Sequence, residues 1–330
     1  MIDIVGRQKT WFGISGAAIA AGLVAMVVSF AMLGAPLRLG LDFTGGTLLQ
    51  LEFEQPVTAE QVRAALTEEG AGSSSVVQID RANPQTALIR TPPIAREEQS
   101  RIEATLRETV GEFRRDRDET VGPTIGATLL QAGLLSLFVA FTAIIVYVGF
   151  RFQFDYAAFA IAALFHDVAI VTGLFAILGL VVGVEVDSLF IVALLTIVGF
   201  SVNDTVVIYD RIRENSRKML SRKVTFAEVV NVSVNQTLGR SVNTSLTSVL
   251  ALLAIFLFGG ATLRYFSLAL LLGFICGTYS SIFIASTLLV WWRDRQGGSG
   301  TLALADELDD KTSDERTVTE GDARPDASGA

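Results

Sequence analysis

Six long apolar runs constrain this sequence more than any other feature. They lie at residues 11–33, 125–150, 157–182, 188–209, 238–258 and 263–292. As a helix rising about 1.5 Å per residue, each run is long enough to cross a hydrocarbon core of roughly 30 Å. The sequence therefore predicts an α-helical polytopic membrane protein with six transmembrane helices, numbered spans 1 to 6 in chain order.

The composition agrees with a membrane protein. Of the 330 residues, 51% are hydrophobic and 18% are charged, and the mean hydropathy is +0.49. These values are too apolar for an ordinary soluble chain. The net charge of −8 says little about partners, because much of it belongs to a run of acidic residues after Trp292. We expect no nucleic-acid partner.

The basic residues of the short connections predict the orientation of the chain. Arg7 and Lys9 precede span 1, Arg151 lies between spans 2 and 3, and many Lys and Arg residues lie between spans 4 and 5. We therefore expect both termini and the 210–237 connection to be cytoplasmic. Span 1 is too long for a cleaved signal peptide and is expected to be a retained anchor in the cytoplasmic (inner) membrane.

The segment 35–122 has a different pattern, which predicts an extracytoplasmic domain. Strand-like stretches at 48–53, 75–80 and 86–90 alternate with helical stretches at 59–69 and 97–110, and a last strand is expected near Thr120. This order predicts a small ferredoxin-like α+β domain between spans 1 and 2.

The predicted organisation has four parts. Residues 1–34 form a cytoplasmic N-terminus and span 1, 35–122 form the outer domain, and 123–292 carry spans 2 to 6. Residues 293–330 form an acidic cytoplasmic tail, which is expected to be disordered because it has too little apolar surface to bury.

Span 4 contains a carboxylate inside an apolar run. Asp204 follows Asn203 and lies about 9 Å of helix before Asp210, where the charged connection begins. A carboxylate in that position is costly unless it is paired, protonated or in contact with water. The alternative is a boundary carboxylate whose side chain extends to the membrane surface.

Span 5 begins with a polar stripe. Arg240, Asn243, Thr244 and Thr247 have the i, i+3, i+4, i+7 spacing of one helix face. Such a face contacts other helices or a water path, and for the threonines alone hydrogen bonds between helices are the preferred interpretation. The guanidinium of Arg240 requires a carboxylate or carbonyl partner, and we expect that partner to be Asp204.

Span 3 carries His166 and Asp167 near the expected middle of the bilayer. An ionisable pair at that depth is a candidate for the ion-coupling path, together with Asp204, Arg240 and Asn203, and an equally open alternative is a polar pair that bonds neighbouring helices together. A metal site is not expected because the chain has one histidine. The single cysteine, Cys276, rules out a disulfide framework within the chain and is interpreted as a small buried hydrophobe.

The sequence lacks the motifs of common enzymes. It contains no Gly-x-Ser-x-Gly, His-Glu-x-x-His or Gly-x-x-x-x-Gly-Lys motif, so we expect neither catalysis nor a cofactor. If the protein does work, its titratable membrane residues point to a proton or sodium gradient. Asp42, which follows span 1, is interpreted as a turn residue in preference to a site residue.

Five sequence blocks in order carry a resemblance to a known family. They are Gly40–Thr47, Val121–Gly126, Phe165–Val168, Gly199–Glu214 and Asn235–Ser241. Over about residues 5–295 the chain resembles SecF subunits of the bacterial SecD–SecF preprotein translocation accessory complex, in the resistance-nodulation-division superfamily.

The resemblance implies a function, partners and site residues. SecF-like proteins pair with SecD and use the proton gradient, or sodium in some members, to promote late translocation or release of secreted polypeptides. The implied partners are SecD, the SecY-SecE-SecG channel, SecA and the translocating polypeptide, with YidC and YajC as further candidates. The family's intramembrane Asp falls on Asp204 and its essential Arg on Arg240, and half of the ion path belongs to a separate SecD subunit.

Three alternatives remain open at this point. A proton-coupled exporter of small molecules or lipids from the same superfamily usually carries two six-helix halves. A scaffold that holds translocation factors together needs no titratable Asp204. An intramembrane enzyme needs a nucleophile with a base, or a metal site, and neither is evident in the sequence.

Overall fold

The computed structural model describes residues 2–72, 75–79, 83–219 and 224–297. Before the third span the elements are α1 (Gln8–Leu33), α2 (Leu41–Thr44), β1 (Gly46–Phe53), α3 (Ala59–Glu68), β2 (Val76–Ile79), β3 (Thr86–Thr91), α4 (Arg96–Thr109), β4 (Phe113–Val121) and α5 (Pro123–Arg151). They are followed by α6 (Phe154–Val181), α7 (Ser188–Met219), α8 (Phe226–Phe258), α9 (Gly260–Tyr279), a π-helical segment (Ser280–Ala285) and α10 (Ser286–Gly297).

The predicted fold class is confirmed. Within the described residues, six helical segments are long and apolar enough to cross a membrane, and a four-stranded sheet lies between the first two. Span 6 consists of α9, the π-helical segment and α10, which follow one another without a break. The predicted tail beyond residue 297 lies outside the described residues.

Much of the predicted 210–237 connection is helical. The fourth spanning helix, α7, continues to Met219, and the fifth, α8, already begins at Phe226. A capping box starts α8, because the Thr225 side chain accepts a hydrogen bond from the Glu228 backbone N–H and the Glu228 side chain accepts one from the Thr225 N–H. The hydropathy pattern detected only the apolar part of each helix, since these extensions are polar.

The chain divides into two compact units. A helical unit contains the residues up to Val28, Ala140–Ile177 and the described residues from Ala193 onward, while a second unit contains Ser29–Val139 and Leu178–Val192. In the helical unit, α1 and α6 are in backbone contact: a Cβ added to Gly22 would lie 2.7 Å from the Cα of Gly173. Small residues permit this close approach of membrane helices.

The second unit contains the sheet domain, whose topology confirms the ferredoxin-like prediction. The strand order is β2-β3-β1-β4 with antiparallel pairing throughout, and α3 and α4 connect the strands in the order β-α-β-β-α-β. The two helices and the sheet share one apolar core, in which Leu49, Leu51, Val62, Ile89 and Leu106 are fully buried.

The start of β1 requires a glycine. Gly46 has φ +126°, a conformation that other residues rarely adopt, and a Cβ there would lie 2.6 Å from the carbonyl oxygen of Thr91 on the paired strand β3. Gly111 has a similar φ of +137°, but no atom lies within 4 Å of its added Cβ. A side chain at Gly111 would therefore cause backbone strain alone, whereas a side chain at Gly46 would cause both strain and steric overlap.

We predict that Gly46→Ala destabilises the protein more than Gly111→Ala. Both substitutions carry a backbone strain of about 1–3 kcal/mol, but only Gly46→Ala also pushes β1 away from β3. Thermal unfolding of the purified chain in detergent, followed by circular dichroism, measures the difference. Equal losses in melting temperature would contradict the importance of close strand contact at Gly46.

Candidate functional site

Asp167 is a fully buried carboxylate on α6 that collects hydrogen bonds from other helices. Its Oδ2 accepts hydrogen bonds from Ser201 Oγ on α7 (2.6 Å) and from Ser280 Oγ at the start of the π-helical segment (2.7 Å). Its Oδ1 accepts one from Cys276 Sγ on α9 (3.4 Å) and lies 2.9 Å from Nδ1 of His166. Buried carboxylates persist where donors replace water in this way.

His166 extends this network to α1. Its Nε2 lies 2.9 Å from Ser15 Oγ, and Ser15 Oγ lies 3.3 Å from the hydroxyl of Tyr279. The Tyr279 hydroxyl donates to the backbone carbonyl of Trp11 (3.1 Å). The predicted pair of histidine and aspartate is therefore in direct contact, and its network joins four spans: α1, α6, α7 and the sixth span.

The donor set was only partly visible in the sequence. Cys276 is buried as predicted, but it donates a hydrogen bond to Asp167 and is more than a small hydrophobe. Ser15, Ser201, Ser280 and Tyr279 were not predicted at all. The available signal was a hydroxyl residue inside an apolar run, and hydroxyls occur in membrane helices for many reasons.

The π-helical segment explains how the sixth span reaches this carboxylate. Its widened turns begin at Ser280, which donates to Asp167, and continue through Ser281, whose hydroxyl lies 2.8 Å from that of Thr205 on α7. Single π-helical turns of this kind are frequent at functional sites.

Three potential metal-ligand atoms, from His166, Asp167 and Cys276, lie within 4.8 Å of one another. Both oxygens of Asp167, however, already accept hydrogen bonds from serine or cysteine, and the histidine contacts Asp167 and Ser15 with its two nitrogens. The arrangement is thus a complete hydrogen-bond network, and its polar groups require no cation to satisfy them.

Asp204 lies one turn further along α7 than Ser201 and is half-buried. Its Oδ1 accepts a hydrogen bond from Ser241 Oγ on α8 (2.6 Å). Its Oδ2 is buried and has no hydrogen-bond partner among the described residues. Asp204 is therefore a carboxylate whose polar environment is only half completed.

Among the described residues, Arg240 forms no ion pair with Asp204, although its charge acts on that carboxylate. Ser241, and not Arg240, faces Asp204, and consecutive residues of a helix point about 100° apart. Arg240 is exposed, and in the described part of the chain it has no hydrogen-bond or ion-pair partner. The hydrogen bond to Asp204 therefore comes from Ser241, and the guanidinium has no acceptor among the described residues.

The rest of the predicted stripe shares the exposed face of Arg240. Asn243, Thr244 and Thr247 are exposed on α8, and Asn203 is exposed on α7. The Thr247 hydroxyl donates to the carbonyl of Thr244 in its own helix (2.9 Å), so the preferred interpretation as a hydrogen bond between helices is wrong for this residue. The stripe is a polar surface on a membrane-spanning helix.

The first residues of α7 belong to the second unit, and two carboxylates of that unit accept hydrogen bonds from them. Asp42 Oδ2 accepts a hydrogen bond from the Ser188 N–H (3.0 Å) and another from its hydroxyl, and Asp187 Oδ1 accepts one from the Phe190 N–H (3.1 Å). Carboxylates are favourable at a helix N-terminus. The interpretation of Asp42 as a turn residue is thus incomplete, because it also caps a helix.

The chain around Asp42 is joined by backbone hydrogen bonds to the loop that precedes α7. The Gly40 N–H donates to the Val186 carbonyl (2.7 Å), and the Val186 N–H donates to the Arg38 carbonyl (2.8 Å). Glu185 forms ion pairs with Arg90 of β3 and with Arg38. The sheet domain is therefore connected to the loop before α7 by backbone and side-chain contacts.

Burial raises the pKa of Asp187 above its ordinary value of 3.8, and the charge of Asp42 acts in the same direction. The hydrogen bond from the Phe190 N–H opposes this rise. A raised pKa means that the folded state holds the proton more tightly than the unfolded state. This contribution to stability is complete below the unfolded pKa and is lost as the pH rises through the folded pKa.

We predict that Asp187→Asn reduces the loss of stability between about pH 4 and neutral pH. The asparagine still accepts the hydrogen bond from Phe190 but carries no charge beside Asp42. Melting temperatures measured across this range should show a smaller decline for the variant, by on the order of 2 °C. Glu108→Gln, an exposed position on α4, is the control. An unchanged decline in Asp187→Asn would contradict the assignment.

Together, the fold and these groups define a class of protein. It is a multi-pass membrane protein with buried ionisable residues in its spans and a ferredoxin-like domain between the first two spans. Comparison with known proteins gives the particular family. The model described as "Protein export membrane protein SecD/SecF, C-terminal" matches residues 101–295, and the "SecD/SecF GG Motif" matches residues 30–57. The chain belongs to the SecD/SecF family.

Individual relatives agree with this assignment. The protein translocase subunit SecF of Synechocystis sp. is 47% identical over 88% of this chain and 94% of its own length. The protein translocase subunit SecDF of Thermus thermophilus is 42% identical over 78% of this chain, which corresponds to 34% of that longer protein.

Solved structures show the same fold. A crystal structure of SecDF from Thermus, described as a translocon-associated membrane protein, has a TM-score of 0.76 at 37% identity over 89% of this chain. A SecDF structure in a super-membrane-facing form has a TM-score of 0.62 at 38% identity. In each case this chain spans 39% of the length of the solved chain.

Proposed function

We propose that this chain is an accessory subunit of Sec-dependent protein export that works with a SecD subunit and draws on the proton gradient. The observation that carries the proposal is the incomplete polar environment of Asp204 and Arg240 within membrane-spanning helices. The names of the relatives, translocase subunits SecF and SecDF, support the export role and the pairing with SecD. The channel, SecA and the secreted polypeptide are the further partners in this proposal.

The exposed polar stripe supports a SecD contact on α8. Arg240 is always ionised, and a charged side chain inside a membrane is costly unless it meets polar groups or water. Arg240, Asn243 and Thr244 are exposed within this chain, so hydrocarbon would leave them unsatisfied. A SecD helix carrying a carboxylate would cover this face and supply the missing acceptor. In the fused Thermus relative, about two thirds of the chain lies beyond the matched part.

Asp204 is the proposed coupling group. A proton on its unpartnered Oδ2 neutralises the carboxylate, and loss of that proton restores a charge that attracts the guanidinium of Arg240. One charge crossing 100 mV gains about 2.3 kcal/mol, which is sufficient to shift the balance between two helix arrangements. Asn203, which is exposed beside Asp204, belongs to the same proposed ion path.

We also propose that both termini are cytoplasmic and that the sheet domain is extracytoplasmic, on the basis of the Lys and Arg distribution. In a Cys276→Ser background, Ser100→Cys on α4 and Arg217→Cys on α7 are both exposed positions. An impermeant thiol reagent applied to intact spheroplasts should label Ser100→Cys alone, and lysed cells provide the control in which both react. Labelling of Arg217→Cys alone in intact spheroplasts would show that the topology is the opposite of the proposed one.

The coupling prediction uses two conservative substitutions. Asp204→Asn removes the titratable group with little change in shape, and Arg240→Lys keeps a charge but loses the planar guanidinium. In proteoliposomes containing SecD, the channel and SecA, we expect both variants to reduce gradient-stimulated translocation to the rate measured without a gradient. Copurification with SecD should remain intact.

Matched controls lie on the same part of the chain. Glu214→Gln and Arg217→Lys change exposed charged residues near the C-terminal end of α7 and should respond to the gradient as the parent does. If Asp204→Asn also responds as the parent does, Asp204 is not the coupling group, and the scaffold alternative becomes the better explanation.

A further inference from the structure

The hydrogen-bond network around His166 contains four contacts, but its two hydroxyl groups supply only two hydrogens. Four contacts follow one another: Asp167 Oδ1 to His166 Nδ1 (2.9 Å), His166 Nε2 to Ser15 Oγ (2.9 Å), Ser15 Oγ to Tyr279 Oη (3.3 Å), and Tyr279 Oη to the Trp11 carbonyl (3.1 Å). Each contact needs one hydrogen. Ser15 and Tyr279 provide one each, and a carbonyl provides none.

The two remaining hydrogens must come from His166 and Asp167 together. One solution is an imidazolium beside a carboxylate, and the other is a neutral imidazole with hydrogen on Nε2 beside a protonated Asp167. Both solutions hold two protons and have no net charge. A neutral imidazole beside an ionised carboxylate would hold one proton, leave one contact without a hydrogen and place a net negative charge in a buried site.

The surroundings of the pair favour the form without net charge. Asp167 is 0% exposed and His166 is 7% exposed. The titratable groups that face them are Cys276 and Tyr279 from the sixth span, while α1 contributes Ser15 and α7 contributes Ser201. Among the described residues that contact the pair, none is a Lys, Arg or second carboxylate that would balance a net charge.

We propose that His166 and Asp167 form a proton-binding site of their own, distinct from Asp204, which holds two protons when filled and one when it has released a proton to water. On release, Nε2 loses its hydrogen and the Ser15 hydroxyl turns to donate to it. The Tyr279 hydroxyl keeps its bond to Trp11. The contact between Ser15 and Tyr279, at 3.3 Å the longest of the four, is then left without a hydrogen.

Occupancy of this site therefore changes the number of hydrogen bonds between α1 and the sixth span. The filled site has a continuous chain of donors from His166 to the Trp11 carbonyl, and the emptied site has that chain broken at Tyr279. This inference deepens the proposed function, because it gives the ion path a second proton site, which acts on the packing of α1. It does not require Asp204 to be the coupling group.

The single histidine allows a direct test. His166 is the one histidine of the chain, so histidine-selective ¹⁵N labelling of the full chain in lipid nanodiscs gives one imidazole spectrum. We expect Nε2 to carry a hydrogen at neutral pH and to lose it in a single step as the pH is raised. An Nε2 without hydrogen at every pH at which the protein stays folded would overturn the proposal.

Substitutions distinguish proton binding from simple packing. Asp167→Asn removes the negative charge beside His166, so the imidazole is neutral at neutral pH and the loss of a hydrogen as the pH is raised should disappear. Ser15→Ala removes the acceptor of Nε2–H, and the step should move to lower pH while the fold is kept. Ser267→Ala is the matched control, because among the described residues this buried serine bonds only to carbonyls of its own helix, and it should leave the step unchanged.

Asp204→Asn separates this inference from the proposed function. The titration of His166 should persist in this variant whether or not translocation still responds to the gradient. If the step disappears in Asp204→Asn, the two carboxylates form one site and the proposal of a separate site is overturned. An unchanged step in both Asp167→Asn and Ser15→Ala would overturn it as well.

Discussion

The arrangement of the helical unit depends on the need of one buried carboxylate for hydrogen-bond donors. Asp167 is fully buried, and its donors come from Ser201, Ser280 and Cys276 on other helical segments and from its neighbour His166. A hydrogen bond between membrane helices adds only about 0.6 kcal/mol on average, whereas a buried charge without partners costs several kcal/mol. The carboxylate thus contributes less to net stability than to specificity, because arrangements that remove its donors are penalised.

Glycine and serine residues permit both the close packing of the helices and the polar network around Asp167. Serine hydroxyls are short, so they reach Asp167 only if the helix backbones approach one another. The contact of Gly22 with Gly173 brings α1 against α6, and a Cβ on Gly277 would lie 3.2 Å from the Cβ of Ser201. The π-helical segment then shifts the register of the sixth span at Ser280. Larger residues at these glycines would separate the donors from their acceptor.

The sequence was sufficient for elements whose signal is periodic and local. The six spans and the β-α-β-β-α-β order were predicted because apolar length and alternation are visible within short windows. Contacts that depend on helix rotation were not predicted: Ser241, the residue after Arg240 on α8, donates the hydrogen bond to Asp204. The cap that Asp42 provides for Ser188 joins residues 146 positions apart, and no local pattern encodes such a contact.

The two carboxylates of the spans, Asp167 and Asp204, differ in how many of their oxygens have a hydrogen-bond donor. Asp167 has donors for both oxygens within this chain, so its environment is complete without a partner. Among the described residues, Asp204 has a donor for Oδ1 alone, and because Oδ2 is buried, a proton reaches it more readily than a side chain from another subunit. Arg240 has the opposite problem, since it is exposed and needs an acceptor that can come from outside. In the proposed function, this buried oxygen and this exposed cation are therefore completed by two different agents, a proton and a second polypeptide.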